Sequence, residues 1–154
     1  MSSRYTLVLN APMKQAMSAN ERACLHFLLK GRKDDQVVWP DHKYFEKLAD
    51  PVCMLDRYAG HTHSPCVSEI WDDGSGRSGI SLILPSIKGD DDLWEHLLLI
   101  DWLCSLMDED RAIGMFLDGP NPRDARLLFA VGGKLKMHWG DGGQEMRRAQ
   151  FVNP

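Results

Sequence analysis

The chain has 154 residues, with 22 acidic against 18 basic side chains and a formal charge of −4. Apolar residues make up 44% and charged residues 26%, a globular composition that excludes disordered, collagen-like and low-complexity classes. A domain of this size buries enough surface to fold without disulfides or a structural metal, and its mild acidity offers no general attraction to nucleic acid or an anionic membrane.

The N-terminal apolar run, Tyr5 to Leu9, is shorter than the roughly seven residues of a minimal signal-peptide core. The most apolar window, Leu97 to Met107, is broken by Asp101 and Ser105 and falls short of the roughly 18 residues of a membrane span. Cys24, Cys53, Cys66 and Cys104 contain no CxxC pair. Reduced thiols and a cytoplasmic location are the expectation, with a Cys53–Cys66 bridge as an alternative.

Arg4 to Asn10 reads as a strand, ending at Ala11-Pro12. Ser18-Ala19-Asn20-Glu21 is a capping box, in which serine and glutamate each satisfy a free backbone N–H, and it predicts a helix from Ala19 to Lys30 stopped by Gly31. Gly31 to Cys66 is irregular, with a short helix from about Asp41 to Leu48. A structureless loop of that length is unusual in a compact domain, so the segment is expected to pack through Trp39, Tyr44 and Phe45.

Val67 to Asp72 and Gly79 to Ser86 form a predicted hairpin, with Ile80, Leu82 and Leu84 on one face and Ile83 on the other. Gly89-Asp90-Asp91-Asp92 opens a second long helix, its carboxylates at the positive end of the helix dipole. Apolar residues from Leu93 to Met107 cover most of its circumference, which predicts burial under a sheet on one side and under loops or a partner on another. Ala112 to Leu117 is a strand. Arg126 to Val131 and Lys134 to Trp139 flank a Gly132-Gly133 hairpin turn.

This order predicts a single α+β domain over 1–140, with an insertion over about 31–66 and a flexible tail over 141–154. The regular elements read βαββαβ, the ferredoxin-like split pattern, plus a C-terminal hairpin. Both long helices are expected on one face of an antiparallel sheet.

The chemical motifs are sparse. Gly74-Ser75-Gly76-Arg77-Ser78-Gly79 matches the G-x-G-x-x-G string, but a strand follows it. Dinucleotide binding needs a helix there, because the helix N-terminus meets the pyrophosphate, so the string is read as a turn. His61, His63 and Cys66 are zinc-ligand types, with Cys53, His42 or a carboxylate as a fourth. Their spacing matches no zinc pattern, and a polar loop accounts for them equally. The aspartates at 72–73 and 90–92 lack the bidentate glutamate that a calcium loop requires, although magnesium held with a phosphate substrate remains open. No G-x-S-x-G elbow or H-E-x-x-H string occurs, and no nucleophile stands beside a base. Lys134, Lys136 and His138 alternate along the last strand, which reads as a solvated, lysine-guarded face.

Tryptophan is the richest signal, at 39, 71, 94, 102 and 139. Trp39, Trp71 and the Asp118–Asp124 loop, with Asp118, Asn121 and Arg123, are the expected interaction residues, the tryptophans because tryptophan is enriched at binding hot spots. The leading expectation is a non-enzymatic interaction protein without a cofactor. It would bind a protein partner or itself, through a strand edge or the apolar second helix. A small toxin-neutralising protein of the immunity type fits the size and charge. No nucleic-acid or membrane partner is expected. The alternative is a small-ligand or zinc-binding domain, or an enzyme, with a site built from His61, His63, Cys66 or Asp101.

Overall fold

The computed structural model describes residues 4–31, 37–47, 51–58, 66–119, 125–139 and 147–148. β1 (Arg4–Pro12) buries Tyr5, Leu7, Leu9 and Ala11 on one face, the period-2 pattern of a strand laid over a core. α1 (Ala19–Lys30) starts where the capping box requires. The Glu21 N–H donates to Ser18 Oγ at 3.0 Å, and the Ser18 N–H donates to Glu21 Oε1 at 3.3 Å. Gly31, at φ 69°, closes the helix by donating its N–H to the Phe27 carbonyl at 2.9 Å.

Two short helices follow, α2 (Lys43–Lys47) and α3 (Met54–Arg57). The α2 bounds lie inside the predicted span. α3 has no sequence signature of its own and gains its stability by burying Met54. β2 (Val67–Asp72) and β3 (Ser78–Lys88) form the predicted hairpin, and α4 (Gly89–Cys104) leads from it into β4 (Arg111–Asp118). β5 (Ala125–Val131), β6 (Lys134–Trp139) and the two-residue β7 (Arg147–Arg148) complete the sheet.

The architecture is α+β, with one antiparallel sheet in the order β2-β3-β1-β4-β5-β6-β7. The sheet therefore continues past β4 as a run of sequential hairpins. Two irregularities break its register, one between Tyr5 and Leu7 opposite β3 and one between Ala112 and Gly114 opposite β5. Gly114 is required at the second, because a Cβ there would fall on the Val8 carbonyl oxygen of β1.

One core lies between the sheet and the helices. Leu7, Leu9, Ile80, Leu82, Leu84, Phe116 and Leu128 face Leu25, Leu28 and Leu29 of α1 and Leu97 to Cys104 of α4. The apolar circumference of α4 is covered within the chain: the sheet packs one side, and Phe45 meets Trp102 edge-on at 5.1 Å on the other. Trp94 is capped by Lys47, whose Nζ lies 3.2 Å from the ring centroid.

The insertion packs through the residues expected of it, unequally. Tyr44 and Phe45 are buried, while Trp39 stacks on Phe45 at 5.4 Å and leans on Phe27 at 5.4 Å, with its outer face in solvent. Two polar chains pin the insertion to α4. The Tyr44 N–H donates to His42 Nδ1 at 3.1 Å, so the proton of this ring sits on Nε2, which donates to Asp101 Oδ2 at 3.0 Å. Asp101 Oδ1 then accepts from the Leu135 N–H of β6 at 2.8 Å. In the second chain, His96 Nδ1 donates to the Asp92 carbonyl at 2.6 Å, leaving Nε2 to accept from the Tyr58 hydroxyl at 2.8 Å. Burial pushes His96 down to about 4 and raises the Tyr58 phenol. Among the described residues no helix is long and apolar enough to cross a membrane.

Candidate functional site

Among the described residues the helices cover one face of the sheet and none packs on the other. Its central row runs straight across five strands through directly paired residues. Val67 of β2 pairs with Ile83 of β3, Ile83 with Val8 of β1, Val8 with Met115 of β4, and Met115 with Leu127 of β5. Each of these positions alternates with a core residue, so the five side chains share the outer side. Ile83, Met115 and Leu127 are 38%, 38% and 39% exposed, high values for large apolar groups in the middle of a sheet.

The flanking rows carry no charge on the four central strands. Thr6, Leu117 and Ala125 lie on one side, and Ser81, Asn10, Ala112 and Phe129 on the other. Charge returns at the rim, with Glu69 on β2 and Lys134 and Lys136 on β6. A sheet face that meets water normally alternates polar against the buried side, and this one departs from that pattern across its centre.

Trp71 belongs to this face. It pairs with Gly79, where a Cβ would collide with the indole, so the ring lies across the glycine. Its Nε1–H donates to Asn10 Oδ1 at 3.2 Å. The sequence-expected interaction residues are thus divided. Trp71 stands on the open face, whereas Trp39 packs on α1 and α2 on the helical side. Asp118 ends β4, half-buried and paired with Tyr5, and Asn121 and Arg123 lie outside the described residues. Val8, Val67, Ile83, Met115 and Leu127 were not singled out as site residues from the sequence. Their signal is a set of strands that are apolar on both faces, as in Leu7-Val8-Leu9, Leu82-Ile83-Leu84 and Leu127-Leu128.

No family model matches the chain, and no curated protein or solved structure does either.

Of the residues expected for a metal site, His61, His63 and Cys66, only Cys66 lies within the described residues. Cys66 precedes β2, and burial raises its thiol above the ordinary value. Among the described residues no group of three His, Cys, Asp or Glu side chains is placed to hold a metal ion. His42, His96 and Asp101 are committed to the pins between the insertion and α4. His138 pairs with Leu127 on β6, at the edge of the apolar row.

A cleft of about 310 Å³ opens between α1 and the end of β2, lined by Arg22, His26, Lys30, Ile70, Trp71 and Asp72 among others. Its cations are already engaged. Lys30 Nζ meets Glu69 Oε2 at 2.8 Å, and Arg22 donates to the Gln15 carbonyl at 3.1 Å.

Proposed function

We propose that this chain is a non-enzymatic, cytoplasmic interaction protein, and that its partner is a second copy of itself bound through the open face of the sheet. The observation that carries this reading is the uncharged centre of the outer face of β3, β1, β4 and β5, where Ile83, Met115 and Leu127 are left more than a third exposed and charge returns only at the ends, as at Arg4 and Lys88. An apolar sheet face needs a cover, and the α4 surface, the other apolar candidate, is already buried in its own chain. The face spans about 24 Å across six strands and about 20 Å along them, by the usual strand spacing and rise. Two such faces together remove about 1,000 Å² in projection, the lower bound of a specific interface.

The same reading takes the core as ferredoxin-like. The β2-β3-β1-β4 segment of the sheet supports it, with neighbours antiparallel, α1 between β1 and β2 in sequence and α4 between β3 and β4. In such a core the helices occupy one face only, which leaves the other for assembly.

The experiment is sedimentation velocity on the wild-type chain and on Met115→Lys. The wild type is expected to be a dimer at micromolar concentration and the variant a folded monomer. A dimeric Met115→Lys would remove the open face as the site of association.

A further inference from the structure

We infer that the two copies meet about a twofold axis parallel to the strands, so that β2 of one lies over β6 of the other and Glu69 faces Lys136 across the interface. The inference rests on the self-association proposed above and fixes its geometry. Two twofold axes in the plane of the interface can stack one sheet on another. An axis perpendicular to the strands sets each strand over itself. It also reverses the direction along each strand, so the row of Glu69 and Lys136 is carried onto the row of Thr6 and Leu117 and acid no longer lies over base. An axis along the strands reverses the strand order while keeping each row in place.

In that arrangement β1 lies over β4, β3 over β5, and β2 over β6. The rows then match in size and charge. Val8 stands over Met115, Ile83 over Leu127, and Val67 over the imidazole of His138. Glu69 pairs with Ser81 in the row that passes through Asn10 and leads to Phe129 and its partner Lys136. Acid and base therefore sit at opposite ends of one row, as an axis along the strands requires. The Glu69 side chain is 58% exposed at the β2 edge, where it also meets Lys30 at 2.8 Å. An isologous interface forms the contact between Glu69 and Lys136 twice, which doubles its weight.

The test is a charge-reversal cycle on the full chain, read as the dimer dissociation constant by sedimentation equilibrium. Glu69→Lys and Lys136→Glu are each expected to weaken the dimer by about tenfold or more, because each creates two like-charge contacts, and the double variant is expected to recover most of the loss. Far-UV circular dichroism of each variant confirms that the comparison is between folded chains. A wild-type monomer would overturn both the self-association and this geometry. A wild-type dimer that neither single reversal weakens would overturn the geometry alone. So would a double variant weaker than both singles.

Discussion

Replacing Asp101 by asparagine tests whether the insertion is held by a directional polar chain. Asp101 is 3% exposed, and its carboxylate accepts on both oxygens, from His42 Nε2 at 3.0 Å and from the Leu135 N–H at 2.8 Å. The amide of Asp101→Asn keeps one acceptor and turns the other into a donor. If its oxygen faces Leu135, its NH₂ faces the His42 Nε2–H. The imidazole cannot relieve this by changing tautomer, because Nδ1 would then point a proton at the Tyr44 N–H, which it now accepts at 3.1 Å. One buried donor is left unpaired and one charge-assisted bond is lost, a combined cost of about 2–4 kcal/mol. For a chain of this length that corresponds to a fall in Tm of roughly 5–12 °C. Urea titration followed by tryptophan fluorescence measures it directly, since Trp102 lies beside Asp101 in α4. Asp101→Asn within about 0.5 kcal/mol of wild type would refute the directional chain, since that is the scatter of neutral surface changes.

The remaining predictions concern other parts of the structure. His96 is a base whose folded-state value, about 4, lies below its ordinary 6.5. The unfolded chain therefore takes up a proton that the folded chain excludes. The stability this contributes is fully present above pH 6.5 and is lost as the pH falls toward 4, a decline of about 3 kcal/mol that His96→Gln should remove from the pH–stability curve. Gly114→Ala should cost about 2–3 kcal/mol in a denaturant titration, because the new methyl group meets β1 backbone that cannot move aside alone. Ser18→Ala should cost about 1 kcal/mol in the same assay, through loss of the capping box on α1.

The regular elements were legible because their signals are local. Ser18 and Gly31 mark both ends of the 12-residue α1, and β2 and β6 match their predicted bounds for the same reason. The insertion was legible as something that packs, through Tyr44 and Phe45. Its pins were not: His42 and Asp101 stand 59 positions apart, and neither announces the other. The open face was half legible. Trp71 was singled out, and Ile83 was recognised as pointing away from Ile80, Leu82 and Leu84. The alignment of Ile83 with Val8, Met115 and Leu127 depends on register across strands far apart in sequence, which no local pattern encodes. Trp39 shows the converse. A tryptophan beside a proline looks like an exposed anchor, yet the ring serves chiefly to lid Phe45 and Phe27.

The central claim is that the bare face of the sheet is covered by a second copy of the chain. Hydrogen–deuterium exchange across a dilution series tests it most directly. Amides of β1 and β4, at the middle of the face, should exchange faster as the protein is diluted through its dissociation constant, while those of α1 and α4 stay unchanged. Exchange in β1 and β4 that is independent of concentration, from a chain that sediments as a monomer throughout, would contradict the account.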